Sequence, residues 1–169
     1  MSTYSRTFIA LGSNIDSRVS FLNFAIHQIF KTVGTIISVS KVYQTPAFGF
    51  DGTFFYNACI EVDTILSAPQ LLEKLKIVEE KSGRIRSKNG YADRPIDLDI
   101  LFFKDEIYKA TDLTIPHTHL HLRDFVLYPM HDICPDFEHP ILKKTIDQLK
   151  SELPSTKIKV FVFKLSFLA

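Results

Sequence analysis

The order of elements predicts an α/β (α+β) fold, an antiparallel sheet with helices packed on it in a single domain. Three observations predict it. The stretches 19–30 and 71–78 carry apolar residues at helical spacing. The stretches 7–11, 35–45, 56–64 and 96–103 alternate or run apolar as strands do. The resulting succession strand–helix–strand–strand–helix–strand is the ferredoxin-like pattern, with helices on one face of the sheet.

Each element has its own signal. The first strand, 7–11, is a short apolar run ended by Gly12, Ser13 and Asn14. Val19, Leu22, Ile26, Ile29 and Phe30 then share one helical face, with Asp16 or Ser17 as N-cap and Gly34 as the stop. Residues 35–45 alternate as a half-buried strand, Pro46 and the Gly-Phe-Asp-Gly that follows break it, and 56–64 alternate again. The second helix has the clearest start, because Ser67 and Gln70 form a capping box and Pro69 suits the first turn. Leu71, Leu72, Leu75 and Val78 form its apolar stripe, and Gly83 can end it. A strand at 96–103 follows, then a short strand near 107–109 and helices around 120–132 and 145–152. Residues 1–154 make up the domain. The run 155–169 beyond Pro154 is an extension, read either as an extra edge strand or as a tail.

Composition narrows the class. With 169 residues, 46% hydrophobic and 23% charged, the chain can bury a sizeable core. Twenty Lys and Arg against 19 Asp and Glu leave a net charge of +1, so nothing global points to a nucleic-acid or anionic-membrane partner. Cys59 and Cys134 are far apart and in no metal-binding spacing, and Cys59 reads as a small core residue. The apolar run near the N-terminus is too short for a signal-peptide core, and no stretch approaches the roughly 20 residues of a membrane span. A cytoplasmic monomer is the expectation.

One strand carries an anomaly. Asp97 and Asp99 interrupt the buried-looking run 96–103. Two residues apart on a strand, they project together, while Leu98 and Ile100 point into the apolar layer. Ionised carboxylates are costly to remove from water, and side by side they repel, which favours a shared cation. Oxygen ligands without nearby Cys suit a hard ion such as Mg²⁺, which takes one or two carboxylates together with substrate phosphates. The alternative is an exposed strand face carrying solvated charge.

The flanks favour phosphate. Arg84, Arg86, Lys88 and Arg94 precede the pair, and an arginine fork matches phosphate oxygens. Without a P-loop, phosphates must be held by side chains and metal. Surface pairing of these arginines with Glu79 or Glu80 is the bland alternative. Downstream, His117, His119 and His121 alternate; on a strand they would form a possible Zn²⁺ or Fe²⁺ face, whereas helical geometry would scatter them. His27, His131 and His139 read as surface or helix-face residues.

In order along the chain stand ALGSN at 10–14, YQTPAFG at 43–49, FYNACIEV at 55–62, GRIR at 83–86, DRPIDLDIL at 93–101, and IPH with RDFVLYPM within 115–130. Over about residues 6–150 this series resembles the 6-hydroxymethyl-7,8-dihydropterin pyrophosphokinase family of folate biosynthesis. The resemblance implies a ferredoxin-like fold that binds ATP and then the pterin. The β,γ-diphosphoryl group passes to the pterin's hydroxymethyl oxygen, AMP is released, and two Mg²⁺ ions lie between Asp97, Asp99 and the triphosphate.

It also implies roles for residues. Arg84, Arg94, Asp97, Asp99 and His117 match catalytic positions. Lys76, Glu79, Arg84, Arg86, Tyr91, Arg94, Ile100, His117, Thr118 and Arg123 match positions that hold ATP. Thr45, Pro46, Phe48, Phe55, Asn57, Tyr91, Asp97 and Phe125 match the pterin pocket, where aromatic faces hold a flat heterocycle and an amide reads its edge. Without the resemblance, Phe54, Phe55 and Tyr56 read as core or rim packing. Residues 84–94, with few apolar anchors, are expected to form a lid. The chain departs from the common pattern at Tyr91 (often Trp), Gly90 (often Arg), Thr118 and Phe55 (Tyr), and Lys76 (Gln). No dedicated general base is evident. Competing classes are a different Mg²⁺-dependent phosphotransferase, a non-enzymatic ligand-binding or RNA-binding module, and a His-metal enzyme.

Overall fold

The structure is a computed structural model that describes residues 4–86, 91–156, 158–161 and 165. Ser87, Lys88, Asn89 and Gly90 of the expected lid lie outside the described residues. The central strand β1 (Ser5–Ser13) pairs antiparallel with β4 (Phe55–Thr64) on one side and with β5 (Asp97–Phe103) on the other. The expected strand 35–45 is two, β2 (Gly34–Val39) and β3 (Val42–Thr45), both along β4. Ser40 explains the break. Its N–H donates to Cys59 O at 2.9 Å, but its hydroxyl, rather than a backbone carbonyl, accepts from Cys59 N at 2.8 Å. A last strand, β8 (Lys159–Phe161), pairs with β3, giving the order β5-β1-β4-β3-β8. A separate hairpin joins β6 (Tyr108–Lys109) to β7 (Thr114–Ile115).

Helices cover both faces of the sheet, not one. The helices α1 (Arg18–Thr32) and α2 (Ala68–Lys81) bury Leu22, Ile26, Ile29, Leu71, Leu75 and Val78 against Ile9, Leu11, Ile60, Val62, Leu98 and Ile100. On the other face α3 (Asp124–Ile133) and α4 (Ile146–Ser151) pack Val126, Leu127, Met130, Ile146 and Leu149 against Phe8, Cys59, Leu101 and Phe102. The alternation accounts for this. Phe8 and Cys59 are as buried as Ile9 and Ile60, so both faces of the sheet need a cover.

Other expectations change in detail. The single helix expected at 120–132 is a 3-10 turn (Leu120–Leu122) followed by α3, with Arg123 extended between them at φ −111° and ψ 110°. Gly34 does not cap α1; that helix runs to Thr32 with Val33 as its C-cap, and a Cβ on Gly34 would lie 2.1 Å from Asp63 O of the adjoining strand. Gly83, at φ +89°, does follow α2 in the left-handed region that glycine tolerates. His139 is not a surface residue. It is buried, its ring meets Phe102 edge-on at 5.4 Å, and its Nδ1 accepts from Ile141 N and Leu142 N.

Two features of the sheet set up the site. Ile9 stands opposite Ile100 and Phe8 opposite Phe102, so Leu101 is an extra residue, a bulge that resets which side chains face which layer. Upstream of it, Asp97, Gly12 and Asn57 form one row across three strands, and Asp99, Ala10 and Cys59 form the next.

Candidate active site

These rows open on the α3 face, in a cleft of about 380 Å³ beside the N-terminus of α3. Asp97 and Asp99 enter it from β5, Asn57 and Phe55 from β4, and Thr45 from the end of β3. Pro46, Phe48 and Phe50 come from the loop after β3, and Phe125 from the first turn of α3. Arg84, Tyr91, Arg94, His117 and Arg123 complete the wall. A second cleft, lined by Leu72, Leu98, Ile100, Thr111, Asp112, Leu113, Thr114 and Thr118, shares Asp99 and His117 with the first.

The first cleft has a charged end and an aromatic end. At the charged end Arg84 Nη1 donates to Asp97 Oδ1 at 2.6 Å, and Arg94 Nη2 lies 3.1 Å from Asp97 Oδ2. Arg84 also pairs with Glu79, a buried α2 carboxylate that accepts from Leu98 N at 2.9 Å and from Arg86 at 2.8 Å. Burial pushes the Glu79 carboxyl up, opposed by the Leu98 N–H and the two arginines. Asp99 makes no ion pair among the described residues. Burial first, then the Asp97 and Glu79 charges, push its carboxyl up to about 7. His117 is fastened to β5 by its N–H to Leu101 O at 3.0 Å. Burial and the Arg123 charge lower its imidazole to about 4, so it is neutral at pH 7.

At the aromatic end Asn57 Nδ2 donates to Thr45 Oγ1 at 2.8 Å, which fixes the amide. Gly12 is required here, because a Cβ would stand 2.9 Å from Asn57 Oδ1. Phe48 tilts against Phe125 at 6.1 Å, and Arg123 lies over both rings. Tyr91 stacks on Phe50 at 6.3 Å with planes 7° apart.

The chemistry of this donor set fits a hard divalent cation. Two oxygen carboxylates share a face, one of them makes no ion pair among the described residues, and substrate oxygens would supply the remaining ligands. Among the described residues no group of three or more His, Cys, Asp or Glu side chains is gathered to hold a metal. The alternating histidines do not converge: His117 lines the cleft, while His121 faces His139 at 6.5 Å. Among the described residues Arg94 Nε and His117 Nδ1 are buried without a protein partner, which suits them to a bound anion or polar ligand.

Residues 8–135 match the family model described as 7,8-dihydro-6-hydroxymethylpterin-pyrophosphokinase. The chain belongs to this pyrophosphokinase family. It is 36% identical over 146 residues to the 2-amino-4-hydroxy-6-hydroxymethyldihydropteridine pyrophosphokinase of Aquifex aeolicus, covering 86% of this chain and 90% of that one. It is 32% identical over 156 residues to the folic acid synthesis protein fol1 of Schizosaccharomyces pombe, covering 91% of this chain but 21% of that longer protein. The fold is similar to that of Plasmodium falciparum HPPK-DHPS, with a TM-score of 0.72 at 19% identity, over 88% of this chain and 44% of that one.

Against the family's pattern, the structure sorts the expected residues into groups. Thr45, Pro46, Phe48, Phe55, Asn57, Tyr91 and Phe125 line the first cleft together with Arg84, Arg94, Asp97, Asp99, His117 and Arg123. Ile100 and Thr118 line the second. Three others lie apart from both linings. Lys76 sits at the rim of the second cleft, its Nζ 3.3 Å from Asp112. Glu79 and Arg86 form the ionic cluster behind Arg84.

Sequence reasoning missed Phe50 and Gly12, which line the first cleft, and Asn14 behind it. Asn14 accepts from Arg94 N at 2.8 Å and donates to Asp93 at 2.5 Å, so it ties the end of β1 to the arginine segment. The Gly-Ser-Asn after β1 was the available signal; it read as a turn and as part of the family motif, but not as a site.

Proposed function

We infer that this chain transfers the β,γ-diphosphoryl group of ATP to the hydroxymethyl oxygen of 6-hydroxymethyl-7,8-dihydropterin, releasing AMP, in tetrahydrofolate biosynthesis. The observation that carries this reading is the juncture at Asp99 and His117, where a slot of aromatic rings and a fixed amide meets a carboxylate–arginine cluster and a second, partly apolar cleft. The pterin lies among Phe48, Phe55 and Phe125 with its polar edge on Asn57, and the nucleotide lies along Ile100 and Thr118. The triphosphate crosses between them.

Asp97 and Asp99 would hold two Mg²⁺ ions, which supply charge neutralisation for the phosphate oxygens and for the leaving AMP. Arg84, Arg94 and Arg123 place guanidinium donors around the transferred group, where negative charge is spread over equatorial oxygens. Neutral His117 binds phosphate oxygen as a hydrogen-bond donor without adding a charge. Asn57 and the rings aim the pterin alcohol in line with the phosphorus, and Tyr91, stacked on Phe50, covers the slot from water. No side chain is needed as a dedicated general base. The protein works as a cytoplasmic monomer on small-molecule substrates. Among the described residues no helix is long and apolar enough to cross a membrane.

The test is to mix purified protein with ATP, Mg²⁺ and the pterin, and to separate the nucleotides against a control without pterin. Pterin-dependent AMP is expected. ADP, or nucleotide turnover indifferent to pterin, would favour a different phosphotransferase.

A further inference from the structure

The strand β3 has only a short hold on β4. It is four residues long and meets β4 in three register pairs, Tyr43 with Asn57, Gln44 with Tyr56 and Thr45 with Phe55. Yet much depends on it. Its last residue, Thr45, orients the Asn57 amide, and the loop that leaves it carries Pro46, Phe48 and Phe50 into the cleft. A short strand at the rim of a sheet frays readily.

In this chain β3 is not the rim. On its outer edge β8 pairs Phe161 with Val42, Val160 with Tyr43 and Lys159 with Gln44. The Phe161 ring packs on Tyr56 at 5.1 Å, on the face away from the cleft, and Leu165 is buried in the α1–α2 core. On the cleft face the Tyr43 hydroxyl donates to Asp132 of α3 at 2.9 Å. So β3 is gripped along both edges and on both faces, and β8 supplies one edge and part of one face. The residues matched to the family model end at 135, well before this strand.

We propose that β8 is a working part of the substrate site: Val160 and Phe161 are positioning residues that hold β3 so that Thr45 sets the Asn57 amide for the pterin. The proposal rests on the pterin reading above. It also predicts a separation of effects. β8 lies at one end of the strand order, and β5, with the second cleft beside it, lies at the other. Loosening β8 therefore acts on the pterin and spares the nucleotide.

The experiment uses the full chain with F161A, the conservative F161L, and V160P at the middle of β8. Pterin affinity is read from pterin fluorescence with a non-hydrolysable ATP analogue present, affinity for that analogue alone separately, and turnover at saturating substrates. For F161A and V160P the pterin KM is expected to rise about tenfold, a loss of ~1.4 kcal/mol, with kcat and nucleotide affinity changed by less than about twofold. F161L is expected to restore most of the pterin affinity. Unchanged affinities alongside a lowered melting temperature would overturn the proposal and leave β8 a passive brace. Pterin and nucleotide affinities falling together would overturn it as general loosening. F161A, a truncation that leaves the backbone ladder in place, keeps the test decisive if V160P does not fold. A wild-type protein that binds no pterin even with the ATP analogue present would remove the functional reading itself, and the proposal with it, a result distinct from the other two.

Discussion

Asp97 and Asp99 stand two residues apart on the same face of β5, but only Asp97 makes ion pairs among the described residues, with Arg84 at 2.6 Å and Arg94 at 3.1 Å; Asp99 feels Arg123 and Arg84 only at longer range, outweighed by burial and by the Asp97 and Glu79 charges. Neutralising the two should therefore have opposite effects on the free protein. Asp97→Asn leaves Arg94 without its ion pair and Arg84 held by Glu79 alone, and should cost about 2 kcal/mol, less than for a fully buried pair, or roughly a 6 °C drop in melting temperature. Asp99→Asn removes a repelled, desolvated carboxylate and should raise the melting temperature by about 2–4 °C. Both should abolish AMP formation. Thermal melts without ligand, beside the AMP assay, check this; a destabilised Asp99→Asn protein would contradict it.

Glu79 is expected to act behind the site. Its two oxygens take Leu98 N–H and the Arg84 and Arg86 guanidiniums, and glutamine would return one acceptor and oppose an N–H₂ to a donor. Glu79→Gln should destabilise by about 2–3 kcal/mol and raise the KM for ATP several-fold. Melting curves and initial rates against ATP would show it. A KM for ATP equal to that of the wild type would place Glu79 outside the phosphate machinery.

Gly12→Ala probes the aromatic end. The new Cβ would meet Asn57 Oδ1 at 2.9 Å, so the amide must turn or shift. The pterin KM should rise about tenfold, with nucleotide binding little altered. Calorimetric titration with each ligand separates the two. Equal pterin binding would mean that Asn57 does not read the pterin edge.

His139 makes stability depend on pH. Burial first, then the His121 charge, lower its imidazole below the ordinary 6.5, against a backbone hydrogen bond that raises it. The unfolded chain takes up its proton near 6.5 and the folded chain only lower down. His139 therefore contributes stability above about pH 6.5 that is lost progressively as pH falls below it. The Asp99 carboxyl, raised to about 7, works in the opposite direction, gaining stability as pH falls from 7 towards 4. The comparison that isolates His139 is wild type against His139→Asn between pH 8 and 5. The variant should lose less on acidification, and parallel curves would assign the effect to other groups.

Local chemistry was legible in the sequence wherever neighbours in the chain decide it. The Ser67–Gln70 capping box forms as read, with Ser67 N–H donating to Gln70 Oε1 at 2.9 Å. The same signature at Thr145 and Gln148 stood in the sequence and was passed over, although it starts α4. The paired aspartates and the arginines before them were legible because strand alternation and charge are local facts. What escaped depends on distant partners. The break at Ser40 is set by Cys59, the need for Gly34 by Asp63, and the burial of His139 by Phe102. The second helical layer escaped because apolar residues on both faces of β1 look, along the chain, like one continuous run.

The row Asp97–Gly12–Asn57 has a consequence for how the two halves of the site can vary. Each step along it crosses one gap between strands, so the carboxylate and the amide stand two gaps apart, about 10 Å. That interval is fixed by backbone ladders rather than by any side chain. Ala10 and Gly12, almost without side chains, leave the floor between them bare, and the sheet serves as a ruler whose length mutation cannot easily alter. Side chains at either end can differ while the span across which the diphosphate would be carried stays the same.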